Sequence, residues 1–219
     1  MLIRSTVITA ALLALAQSCF ATAPAAKPAA TAPSFNCAKA SGQAQQLVCK
    51  DAELAQLDRE IARLDGLAST GPDAKRHPEL KAMQLGWIKG RDDCWKSDDA
   101  RRCVRDAYAL RIAELRALPD ARRQDAKRGE KALAIGPLPL RCPTVEGEVV
   151  VTFINSDPGA VVLRTSQGSV VLDHLVSASG ARYGGKLAGG DYLLWNKGRD
   201  YRLELPGQPP ADCSDALPL

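Results

Sequence analysis

The cysteines constrain this chain more than any other feature. There are seven: Cys19 lies in an apolar leader, whereas Cys37, Cys49, Cys94, Cys103, Cys142 and Cys213 lie beyond it. An even set in an exported chain implies disulfides rather than free thiols. Six cysteines admit 15 pairings, but their spacing groups them. Two flank the first helical pattern, two surround a later turn, and two bracket a β-rich stretch. The expected bridges are therefore Cys37 with Cys49, Cys94 with Cys103, and Cys142 with Cys213. The last closes a loop of about 70 residues, for which chain entropy alone gives roughly 4 kcal/mol. A metal site is a poor alternative, because no CxxC spacing occurs and the only histidines are His77 and His174. No metal or cofactor is expected.

The leader accounts for Cys19. Residues 1–21 have the layout of a secretory signal, with Arg4 in a short charged start, an apolar run from Val7 to Ala16, and small residues after it. The run is about ten residues long, too short to cross a bilayer, and no later stretch approaches the roughly 20 apolar residues that a span requires. The expected location is the periplasm, with no integral membrane span. Cleavage after Ala21 gives a soluble form. Ser18 before Cys19 also permits a lipid anchor at Cys19, although Ala16 stands where a lipid-attachment motif favours leucine. Residues 22–34, TAPAAKPAATAPS, form an alanine- and proline-rich tether.

Beyond the tether the periodicity is helical over 35–118. Leu47, Leu54, Leu57, Ile61 and Leu64 recur at helical spacing, as do Leu80, Met83 and Trp87, and then Val104, Tyr108, Ile112 and Leu115. Three amphipathic helices make a small bundle whose modest core benefits from disulfides. Residues 119–138 are charged and alanine-rich, and read as a helix extension or linker. Their basic cluster, Arg122, Arg123, Lys127, Arg128 and Lys131, is interspersed with Asp120, Asp125 and Glu130. This is a solvated helix face, and no nucleic-acid partner is expected.

From 139 to 219 the period becomes that of strands. Runs at 148–154, 160–164, 169–175, 191–195 and 201–205 alternate with turn signals. Short antiparallel strands with close turns make a small barrel or sandwich. The expected class is thus α+β with two domains: a disulfide-stapled helical bundle, then a small antiparallel β-barrel or sandwich. From Pro139 onward seven lysines and arginines face nine acidic residues, against 20 and 16 over 34–138. The β domain is the acidic one, a sign suited to steering toward a basic partner.

Two segments of the β domain stand out: SASGARY at 177–183 and WNKGRDYRLEL at 195–205. Ser177, Ala178, Ser179 and Gly180 suit a protruding loop, and Lys197 and Gly198 a turn after an apolar strand. These segments resemble the SGxxY loop and WxKG turn of MliC-type inhibitors of C-type lysozyme, small β-barrel proteins of the bacterial envelope. The resemblance covers about 140–215 and selects the barrel. It implies that C-type lysozyme is the partner, and that Ser179 and Lys197 enter its cleft and meet its catalytic carboxylates. Gly180, Arg182 and Tyr183 belong to the same lysozyme-binding segment, with Arg182, Tyr183 and Trp195 shaping the loops. One departure is the connection GGKLAGGDYLL between Tyr183 and Trp195, about four residues longer than usual. The helical half, through its cysteine placement and the segments DAELAQLDREI and GWIKGRDDC, resembles the LprI-type domain of bacterial envelope proteins. Such proteins have themselves been linked to lysozyme inhibition.

Two other readings use the same residues. Asp173, His174 and Ser177 are the residue types of a hydrolase triad, but neighbours on a strand point to opposite faces. No GxSxG elbow, phosphate loop or zinc signature occurs either, so the chain is not expected to be an enzyme. A non-catalytic envelope or peptidoglycan-binding module is the alternative, with Trp87, Trp95, Tyr108, Tyr183, Tyr192 and Trp195 as candidates for sugar stacking.

Overall fold

The structure is a computed structural model that describes residues 32–70, 77–125, 132–187 and 189–216. The signal segment, Cys19 and the tether up to residue 31 lie outside the described residues, as do Lys127, Arg128, Glu130 and Lys131.

Among the described residues the N-terminal half holds five α-helices: α1 (Gln43–Lys50), α2 (Ala52–Ser69), α3 (His77–Asp92), α4 (Ala100–Ala117) and α5 (Pro119–Asp125). The leucine stripe from Leu47 to Leu64 is broken at Asp51, whose extended backbone ends α1 while its carboxylate caps α2 by accepting the Leu54 N–H at 3.1 Å. Asp99 caps α4 in the same way, through the Arg102 N–H at 2.9 Å. Val104, Tyr108, Ile112 and Leu115 of α4 face Leu54, Leu57, Ile61 and Leu64 of α2, and all of them are buried. Trp87 of α3 packs edge-on against Tyr108, with ring centroids 5.2 Å apart, and donates its indole N–H to the Ala107 carbonyl at 3.0 Å. Met83, counted in the apolar stripe of α3, instead stands 46% exposed. The Tyr108 hydroxyl donates to Asp58 at 2.8 Å and accepts from Arg91 at 3.0 Å, so this buried phenol is satisfied. Burial pushes its pKa up. The bridge from Cys37 to Cys49 ties the entering chain to α1, and that from Cys94 to Cys103 ties the α3–α4 turn to α4.

The C-terminal half is a closed barrel of eight strands, each antiparallel to the next: β1 (Ala134–Arg141), β2 (Val149–Ile154), β3 (Ala160–Thr165), β4 (Gly168–Leu175), β5 (Ala181–Leu187), β6 (Gly190–Lys197), β7 (Asp200–Glu204) and β8 (Ala211–Asp215). β1 closes on β8 through Leu140 opposite Asp215 and Arg141 opposite Ser214, beside the Cys142–Cys213 bridge. Val151, Phe153, Val161, Leu163, Leu172, Leu194 and Leu203 fill the interior. The strand runs expected from alternation correspond to β2, β3, β4, β6 and β7, while β1, β5 and β8 are additional. β1 begins inside the charged stretch that reads as a linker.

A second apolar layer joins the halves. Ile154, Ala160, Val162 and Val171 on the outer face of the barrel belong to the same buried cluster as the α2 and α4 leucines. That is why β2 is buried along its whole length and β3 over its first four residues. Polar links surround the layer. Asp173 of β4 pairs with Arg102 at 2.9 Å and with the buried Arg105. Ser156, in the β2–β3 loop, donates to Glu53 at 2.9 Å. Glu53 and Asp51 together hold Arg101 at 2.7 and 2.8 Å, and Arg116 donates to the Gly136 carbonyl at 2.8 Å.

Two predictions follow from these ties. Replacing Cys142 and Cys213 together by serine releases a 71-residue separation and is expected to lower stability by about 2–5 kcal/mol, read as a shift of the urea midpoint. Burial alone would raise the Asp51 carboxyl, but Arg101 and the Leu54 amide outweigh it and hold the group below its ordinary value of 3.8. A depressed folded pKa contributes stability that is complete above the unfolded value and lost as pH falls through the folded one. Asp51→Asn should therefore reduce the loss of urea midpoint on acidification below about pH 4.

Candidate functional site

In a barrel of successive antiparallel strands, alternate connections open at the same end. The β2–β3 connection (155–159), the β4–β5 connection (176–180) and the β6–β7 turn therefore share one rim. The serine loop and the lysine turn are both on it.

The local geometry of the loop follows from its small residues. β4 and β5 pair over three positions beside the loop, from Asp173 opposite Gly184 to Leu175 opposite Arg182, so the chain stays in the sheet up to the last residue of β4 and the loop is confined to 176–180. The Ser179 carbonyl accepts from the Ser177 hydroxyl at 2.8 Å and from the Trp195 indole N–H at 3.0 Å. Gly180 follows with φ +69°, and a Cβ there would stand 2.4 Å from the Asn196 carbonyl oxygen. The loop thus lies flat against Trp195 and Asn196, a close approach that only glycine allows. Ser179 itself is exposed.

β5 and β6 pair through seven positions, from Ala181 opposite Asn196 to Leu187 opposite Gly190. The long connection noted in the sequence is therefore spent on hairpin length. Its turn lies at the far end, and the near end still brings the loop to the strand that delivers Lys197. Lys197 pairs with Asp200 across the β6–β7 turn, where Gly198 has φ +62°. The Asn196 side-chain amide donates to the Gly198 carbonyl at 3.1 Å and braces this turn. Lys197 is exposed, and among the described residues its ammonium makes no ion pair.

The remaining predicted site residues divide by face. Arg182 is exposed, opposite Trp195 on the outer side. Tyr183 points inward, 9% exposed, with its ring 5.5 Å from Phe153 and 5.3 Å from His174. Burial raises its hydroxyl pKa, and its place is under the loop rather than on the surface. Asp173 is engaged by Arg102 and Arg105 across the domain boundary, and His174 packs on Tyr183, so these residues do not assemble a triad with Ser177. Among the described residues no group of histidine, cysteine and acidic side chains is arranged to hold a metal ion, and no helix is long and apolar enough to cross a membrane. Val176, 97% exposed at the start of the loop, is the rim residue that sequence reasoning missed. Its only signal was an apolar residue among small polar ones.

Residues 141–212, which span most of this barrel with its loop and turn on one rim, match the family of membrane-bound lysozyme-inhibitors of c-type lysozyme, MliC. The chain is also 35% identical to lipoprotein LprI of Mycobacterium tuberculosis and to lipoprotein LprI of Mycobacterium bovis, over 193 residues that cover 87% of this chain and 89% of each relative. It therefore belongs to the LprI family and carries an MliC lysozyme-inhibitor domain at its C-terminus. No solved structure matches it.

The Gly180 contact makes a direct prediction. Gly180→Ala must displace either the loop or the β6 backbone, and a residue at positive φ adds strain. The expected cost is about 1–3 kcal/mol, read by urea unfolding.

Proposed function

We propose that this protein inhibits C-type lysozyme by seating the rim of its barrel in the active-site cleft, with Ser179 and Lys197 meeting the catalytic carboxyl groups. The observation that carries the reading is the β5–β6 register, which holds the exposed Ser179 loop against the strand that ends in Lys197, exposed and without an ion pair among the described residues. A retaining lysozyme places a protonated glutamic acid and an ionised aspartate on either side of the scissile bond. An ammonium offers three donors and a hydroxyl both donates and accepts, so the pair satisfies both carboxyl groups. The rim offers no glycosidic bond to cleave.

Arg182 adds a second positive charge on the outer face beside the loop. Tyr183 and Trp195 act from below, by filling the barrel mouth and by holding the Ser179 carbonyl. The role is non-enzymatic. The matched relatives are called lipoproteins, which supports an envelope location with the folded part held on its tether and Cys19 as the lipid-bearing residue.

Turbidimetric lysis of bacterial cell walls by a C-type lysozyme, with increasing amounts of the full chain, tests this. Ser179→Ala and Lys197→Ala should each weaken inhibition, and the double change should do so further, with unfolding midpoints unaltered. Removing one partner of a buried charged hydrogen bond costs about 2–5 kcal/mol, which corresponds to a loss of roughly 30-fold or more in affinity. Undiminished inhibition by both single variants would overturn the assignment of the site.

A further inference from the structure

The loop at 176–180 and the turn around Lys197 offer about eight residues, whereas a stable protein interface takes roughly 20–30 residues and about 800 Å² from each side. More of this rim must be covered when a partner is seated on it. The fold shows what adjoins it. Ser156, on the same end of the barrel as Ser179, is bonded to Glu53, and Glu53 to Arg101, the second residue of α4. The turn at 93–99 immediately precedes α4 and is stapled to its first turn by the Cys94–Cys103 bridge. The helical half therefore brings its α3–α4 turn up to the same rim.

Five large apolar side chains are exposed among the described residues, and two of them belong to these segments: Val176, at 97%, and Trp95, at 61%. Neither is explained by packing within the chain. Cys94 turns inward, 3% exposed, and leaves the neighbouring indole outside, where the Lys96 ammonium stands 5.5 Å from its ring centroid. Tryptophan is enriched among the side chains that dominate binding energy, and such anchors are surrounded by contacts that exclude water. Apolar residues beside a polar centre exclude water from an ammonium and a hydroxyl when these meet carboxylates.

We infer that Val176 and Trp95 are the apolar anchors of one composite lysozyme-binding rim, with the barrel supplying the polar centre and the helical half a second wall. The inference rests on the cleft reading above and identifies what else the same lysozyme touches. It gives the helical half a part in recognition, beyond stapling the barrel to its tether.

The test uses the full chain. Val176→Ser and Trp95→Ser should each raise the inhibition constant in the lysis assay by at least about tenfold, with unchanged unfolding midpoints, since both side chains are exposed. Amide hydrogen exchange of the complex should show protection at 93–99 as well as at 176–180. If Lys197→Ala abolishes inhibition while Trp95→Ser stays within about twofold of the parent and exchange at 93–99 is unaltered, the helical half takes no part and the inference fails while the cleft reading stands. If Lys197→Ala and Ser179→Ala both leave inhibition intact, the cleft reading fails and the composite rim with it.

Discussion

The pairing of β5 with β6 decides where everything at the rim stands. Seven residue pairs set its register, and a one-residue slip would turn each side chain of β5 to the opposite face of the sheet. Tyr183 would then leave the core and Arg182 would enter it. The register also places Gly180 against Asn196 and the Ser179 carbonyl within reach of the Trp195 indole. The turn of this hairpin and the Ser179 loop stand at opposite ends of the barrel.

The rim is also braced from outside the barrel. The barrel has apolar packing on both sides over β2 and β3, with its own interior on one face and α4 on the other. Asp173, three residues before the loop begins, is held by two arginines of α4, and Ser156 is held by α2. Buried or half-buried charges of this kind are tolerable only when paired. Here the pairs lie at the seam between the halves and fix one against the other. Pre-ordering of binding loops lowers the conformational entropy lost on association, and these pairs tie the 155–159 connection and the end of β4 to the helices.

Much of this was legible in the residues. The leucine stripes of α2 and α4 have clear helical spacing, and the cysteines cluster in pairs that short loops can bridge. The two rim segments carry distinctive small and charged residues. What escaped has physical causes. Asp51 breaks a continuous apolar stripe because its carboxylate caps the next helix, a local competition that periodicity does not register. β1, with the sequence AIGPLPLR, contains a glycine and two prolines; β5, ARYGGKL, has two glycines; and β8, ADCSD, is short and polar. All three strands are held by barrel closure rather than by their own propensity. The Ser156–Glu53 bond joins residues 103 positions apart, a contact that no local pattern encodes. Without it, the approach of α2 to this end of the barrel was invisible.

The central claim is occlusion of the lysozyme cleft, and competition tests it most directly. The full chain would be titrated calorimetrically into a C-type lysozyme, first alone and then with its cleft saturated by an oligosaccharide of N-acetylglucosamine. Occlusion predicts that the apparent Kd rises in proportion to the oligosaccharide concentration above its own Kd. An apparent Kd that does not change with the cleft filled would place the protein elsewhere on lysozyme and contradict the account.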